Sequence, residues 1–201
     1  MSIKPTTQVY AIRDSITDSV DFNSGQSGSN LITISIPTSL DTLNREVLMI
    51  QEVDFDISGV GQWAATMART NGSADPAVAY VQGSLSVFLT EVDPAVDPTA
   101  LDLASPHFIA ARSIVSVGGV FALSDENPDT ASNSSVAFAD HPLFTTASDT
   151  LYLTVSYSFS GNDPGTHTGA NPSFRGSFRT FAQRGKADAD TYAAILTGLY
   201  A

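Results

Sequence analysis

The chain has 201 residues, 42% hydrophobic and 15% charged, enough apolar material for one sizeable core and too little charge for a disordered segment. Acids outnumber bases 21 to 9, giving a formal charge of -12 and a single-sign field that repels phosphate backbones and anionic lipid, so little direct nucleic-acid binding is expected. With no cysteine, disulfide staples, thiolate chemistry and Cys-ligated metals are excluded.

The start, "MSIKPTTQVYAIRDS", has no apolar core of about 7 to 15 residues of the signal-peptide kind, and no later stretch approaches the ~18 apolar residues of a spanning helix. Residues 1–29 read as a polar N-terminal arm of a single domain, 1–201. "NLITISIP" (30–37) then alternates Leu31, Thr33 and Ser35 against Ile32, Ile34 and Ile36, and Pro37 ends it. After a polar segment with room for one helical turn, "VLMIQEVDFDIS" begins apolar on both faces at Val47 to Ile50. Beyond Gln51 it alternates, with Val53, Phe55 and Ile57 opposite Glu52, Asp54 and Asp56.

"QWAATMART" (62–70) is ambiguous, and "AYVQGSLSVFLTEV" (79–92) reads as a long strand or a pair bent at Gly83. "HFIAARSIVSVGGVFALS" (107–124) reads as two strands hinged near Gly118 and Gly119. "LYLTVSYSFSG" (151–161) sets Leu151, Leu153, Val155, Tyr157 and Phe159 against Tyr152, Thr154, Ser156, Ser158 and Ser160, and "SFRGSFRTFAQ" (173–183) adds another strand. Seven or eight strands with no alternating helices predict an all-β antiparallel sandwich. Its core should hold Val53, Phe55, Val87, Leu89, Leu153, Val155 and Tyr157. Residues 187–201 form a tail in which Asp188 or Asp190 caps a short helix, with Tyr192, Ile195, Leu196 and Leu199 at i, i+3, i+4 and i+7. That apolar stripe packs on its own domain or docks on a neighbour. Long polar stretches at 21–30, 92–106, 124–142 and 160–173 read as loops.

The residues that could carry chemistry are scattered. Glu52, Asp54 and Asp56 share a strand face at about 6.5 to 7 Å spacing, too far apart to close on one small cation, and read as a hydrated outer face or a face shared between subunits, not as a site. Asp93, Asp97 and Asp102 in one loop and Asp125, Glu126 and Asp129 in another are where calcium could bind, although neither loop has the EF-hand pattern and Asp-Pro turn chemistry accounts for both. No other cofactor is expected. His107, His141 and His167 lie in separate segments, no Ser sits in a nucleophile elbow, and no phosphate-binding loop exists. "NGS" at Asn71 and "NSS" at Asn133 read as polar turns. The chain is not expected to be an enzyme. Arg175, Arg179, Arg184 and Lys186 are the densest basic cluster, with Arg175 and Arg179 on one strand face.

A polar arm, "LITISIP", the segment leading to "LNREVLMIQEVDFDIS", loop-joined strands and a closing "FAQRGKADADTYAAILTGLYA" form a layout that resembles the small single jelly-roll capsid proteins of icosahedral DNA viruses, particularly environmental, archaeal or bacterial ones. The resemblance covers most of the chain, and its most family-like stretches are "LNREVLMIQEVDFDIS" and the R-G-K-x-D-x-D-x-[FY] pattern of the tail. It implies a jelly-roll sandwich that self-assembles into a virion shell as a large homo-oligomer, alongside other capsid or spike proteins. Tyr192, Ile195, Leu196, Leu199, Arg175 and Arg179 become its candidate inter-subunit contacts. The first 30 residues depart from capsid arms rich in basic residues, holding only Lys4 and Arg13 against Asp14, Asp18 and Asp21. Another protein then handles the genome, or the shell surrounds an internal membrane. The competing readings are a non-catalytic β-sandwich module for carbohydrate binding or surface attachment, weakened by the single tryptophan, Trp63, and a hydrolase, weakened by the scattered histidines.

Overall fold

The structure, a computed structural model, describes residues 2–19, 27–59, 80–119, 144–161 and 173–197. The expectations for 62–70, for most of the loops at 21–30, 124–142 and 160–173, and for Trp63, Asn71, Asp125, Glu126, Asp129, Asn133, His141, His167 and Leu199 lie outside the described residues.

Nine strands are described: β1 (Ile3–Pro5), β2 (Tyr10–Ser19), β3 (Ser27–Pro37), β4 (Glu46–Ser58), β5 (Tyr80–Thr90), β6 (Phe108–Gly119), β7 (Phe144–Thr146), β8 (Thr150–Gly161) and β9 (Ser173–Ala187). One helix, α1 (Ala189–Leu196), follows. Residues 3–5 and 10–19, expected to belong to an arm, run antiparallel along one edge of β9. The reason is legible in Tyr10, Ile12 and Ile16, which alternate toward the core, with Ile16 buried and Tyr10 and Ile12 packed against the buried cluster. β5 is one strand with no bend at Gly83, and β6 runs unbroken to Gly119.

One sheet has the order β2-β9-β4-β7, with β1 extending the β2 edge, and the other has the order β3-β8-β5-β6. Pairs β5–β6, β4–β7, β3–β8 and β2–β9 nest one inside the next along the chain, so the chain is a long hairpin rolled over itself. That nesting, split over two packed antiparallel sheets, is the jelly roll. The core lies between the sheets. Leu48, Ile50, Val53, Phe174, Phe178 and Ala182 of one meet Leu85, Val87, Leu89, Leu151, Leu153, Val155 and Tyr157 of the other, all buried, while Phe55 is only partly so. Arg112 of β6 reaches across to donate to the Phe55 carbonyl of β4, tying the sheets together at 2.5 Å.

The two ends of the sandwich differ. At one end lie the short β3–β4 connection, the β5–β6 connection, the β7–β8 turn, β1 and α1, joined by Thr38 N–H donating to the Asp149 carbonyl and Ala187 N–H to that of Arg45. At the other gather the strand ends Ser19, Ser27, Ser58, Tyr80, Gly119, Gly161 and Ser173, by the registers of their pairs.

Candidate functional site

The change of character within β4 has a structural cause. Along Val47 to Ile50 the strand is covered twice: Leu48 and Ile50 face the opposite sheet, while Val47 packs outward against Ala147, Ala187 and Ile195 in a second buried cluster. The pairing with β9 then slips between Ile50 and Glu52, a bulge that inserts Gln51 and reverses which residues face outward. The hydroxyl of Thr180, itself buried, donates to the Glu52 carbonyl at 2.6 Å and satisfies the backbone beside the bulge. Past that point no other described element covers the outer face of the sheet, and the acids begin.

Three strands build this uncovered face in rows. Arg13, Arg179 and Asp54 lie side by side on β2, β9 and β4; Ser15, Ser177 and Asp56 form the next row, and Thr17, Arg175 and Ser58 the one after. Arg179 donates to Asp54 Oδ2 from its Nη2 at 2.7 Å and lies 5.0 Å from the centre of the Phe181 ring, so its guanidinium is held between a carboxylate and an aromatic face. Burial raises the pKa of Glu52 above its ordinary value and the Asp54 charge adds to the rise, while Arg179 opposes both. A shallow depression of about 410 Å³, bordered by Arg13, Asp56, Arg175 and Arg179, crosses the face. Arg175 and Arg179 thus share a face as their spacing predicted. Arg184 faces inward at the end of the sandwich, donating to the Tyr10 hydroxyl and the Thr38 carbonyl. Arg13 is the third guanidinium of the outer face, on a segment whose polar composition reads as an arm. The alternation of Tyr10, Ile12 and Ile16 was the signal for it.

The tail is capped as the sequence suggested. Asp188 accepts from Thr191 N–H at 2.8 Å and, through its other oxygen, from Ser2 N–H at 2.8 Å, so one carboxylate starts the helix and ties down the N-terminal strand. The Thr191 side chain beside it, then the amides of Thr191 and Ser2, hold its pKa down to about 2. Ile195 is buried against Val47, Ala147 and Ala187, and Tyr192 packs on the same cluster with its hydroxyl donating to the Thr42 carbonyl. Both therefore pack within the chain, and of the described tail residues named as inter-subunit contacts only Leu196 is left out, 63% exposed.

In the β5–β6 connection each aspartate closes its own turn. Asp93 accepts from Ala95 N–H, Asp97 from the amide and hydroxyl of Thr99, and Asp102 from Ala104 N–H. His107 Nδ1 lies 2.8 Å from Glu91 Oε1, and Glu91 Oε2 accepts from the Thr146 hydroxyl, which fastens the connection to β7. Among the described residues no three His, Asp or Glu side chains stand close enough to hold a metal ion. No helix there is long and apolar enough to cross a membrane.

No family model matches the chain, and no curated protein matches its sequence. Solved structures similar to it include VP1 of the Trichodysplasia spinulosa-associated polyomavirus, at 11% identity and a TM-score of 0.37 over 92% of this chain and 99% of that one. The same VP1 in complex with 6'-sialyllactose gives 11% and 0.39 over 91% and 98%. Chimpanzee polyomavirus VP1 gives 10% and 0.37 over 92% and 99%. The likeness is loose, and the jelly-roll assignment rests on the strand order and nested pairing of this chain.

Proposed function

We propose that the chain is a structural subunit of a viral shell, a single jelly-roll coat protein of an icosahedral DNA virus that assembles from many copies of itself and resides in the virion. The nested pairing across a five-stranded and a four-stranded sheet carries this reading, since jelly rolls of this kind serve as viral coat and lectin domains. A fold alone does not choose between those uses. Supporting the coat reading, four large apolar side chains, Leu43, Val96, Leu103 and Leu196, stand exposed on connections and the helix at the same end of the sandwich. Contacts between subunits at that end would cover them.

The strands that replace the expected arm fit a division of labour. Lys4 and Arg13 belong to strands paired with β9, so neither sits on a free arm that extends toward a genome. Under this reading another protein holds the nucleic acid, or an internal membrane separates it from the shell, with other capsid or spike proteins as further partners. Sedimentation and negative-stain electron microscopy of the purified chain test the proposal. Closed particles of uniform size are expected. A monomer at every concentration and salt overturns it and makes a carbohydrate or surface-attachment module the leading reading.

A further inference from the structure

At a formal charge of -12, two copies of the chain repel each other over most approaches. The outer face of β2, β9 and β4 is different. Its outward positions carry Arg13, Arg175 and Arg179, three of the 9 basic residues of the chain, beside Glu52, Asp54 and Asp56. With Asp14, which borders the same depression from β2, three guanidinium groups meet four carboxylates, far closer to balance than the chain as a whole, and on the two central strands they are sorted: guanidinium groups on β9, carboxylates on β4. Asp14 and Asp18, on the alternate positions of β2, stand exposed at its edge.

A sorted pattern of this kind is its own complement. A two-fold axis in the plane of the face, running along the strands between β9 and β4, lays the guanidinium column of one copy over the carboxylate column of the other, and the reverse. Arg179 and Asp54, already paired within the chain, become half of an alternating four-charge cluster. Arg175 and Asp56 have no ion-pair partner among the described residues. They gain one diagonally from the second copy, one row away, within reach of an arginine side chain.

We propose that this face is an isologous contact between two copies of the chain. The proposal rests on the shell reading and adds to it which surface is shared and what holds it. Only β9 and β4 overlap about this axis, and two strands about 4.8 Å apart and about nine residues long present roughly 290 Å² per copy, well short of the ~800 Å² of a stable isolated dimer. The contact is therefore weak alone, sensitive to salt, and effective where many copies assemble together.

The test uses Arg175→Glu and Asp56→Arg in the full chain, with thermal melts to show that each variant folds. Sedimentation velocity at low and high salt then follows association. Each variant alone is expected to associate at least ~10-fold more weakly than the parent. An equimolar mixture is expected to recover, because Glu at 175 then faces Arg at 56 in one contact and the native pair forms in the other. An unfolded variant could not recover on mixing. Particles that form equally well from either variant overturn this contact and leave the shell reading standing. A salt-sensitive dimer that never grows further, disrupted by each variant and restored by mixing, supports the contact and removes the shell. A monomer under all conditions overturns both.

Discussion

Gly176 of β9 and Val155 of β8 meet across the two sheets: a Cβ placed on Gly176 would stand 2.6 Å from one Val155 methyl and 2.8 Å from one of Val87. Both valines are fully buried, and a β-branched side chain has one strongly preferred rotamer when packed. Gly176→Ala is therefore expected to overpack the core by about 1 to 3 kcal/mol, read from urea unfolding. Val155→Ala should recover part of that loss in the double variant, since the two sites share one space. Purely additive losses would show that the sheets part without strain.

Phe174 is 1% exposed and meets Tyr157 edge to face, with ring centres 5.3 Å apart. Truncation of Phe174 to Ala should cost about 3 to 5 kcal/mol. Phe55 packs against the same cluster from a partly exposed position, so Phe55→Ala should cost clearly less. Equal losses in denaturant titrations would put Phe55 deeper in the core than its accessibility indicates.

The fold was readable wherever one strand face met the core and the other met water. Val53, Val87, Leu89, Leu153, Val155 and Tyr157 all occupy the inside that their alternation assigned. Two places resisted for physical reasons. Val47 to Ile50 lost the alternation because the outward side chains are covered too, Val47 by Ile195 of α1 with Ala147 and Ala187, and Met49 is buried as well, tertiary contacts that no local pattern encodes. In β2, Asp14 and Asp18 occupy inward-parity positions at the sheet edge, where a carboxylate can still reach water, so the strand read as a polar arm. The candidate face was half visible: Arg175 and Arg179 followed from spacing, but their neighbours Arg13 and Asp54 came from pairing.

Acid should loosen the tail in a defined window. Asp188 has a folded pKa of about 2 against an ordinary 3.8. A depressed carboxylate contributes stability that is fully present above its unfolded pKa and is lost as pH falls through the folded one, here from about pH 4 to about pH 2. Asp188→Asn should melt below the parent at pH 6, and the gap should close as pH approaches 2. A gap that stays constant over that range would mean that the carboxylate charge is not what holds Ser2 and Thr191.

Chelation provides a separate check on the acidic connection. Asp93, Asp97 and Asp102 are each engaged by amides of their own turns, so EDTA should leave the melting temperature of the dissociated subunit unchanged. A fall on chelation that calcium reverses would assign the connection a bound ion. A fall seen only in assembled material would place that ion between subunits.

Ile195 and Leu196 are adjacent in α1 and should behave oppositely. Ile195 is 8% exposed and packs on Val47, Ala147 and Ala187, whereas Leu196 is 63% exposed. A helix of eight residues does not hold itself together in water, so its packing on β4 and the β7–β8 turn is what keeps it formed. Ile195→Ala should destabilise the subunit by about 2 kcal/mol, the low end for such a truncation because a chain end can settle into the gap. Leu196→Asp should change subunit stability by no more than about 0.5 kcal/mol, yet weaken assembly, since a carboxylate would replace an apolar side chain at a covered contact. Melting temperature and particle yield separate the two effects. If Ile195→Ala abolishes particles while the subunit melts as before, the helix leaves its own sandwich on assembly and docks on a neighbour.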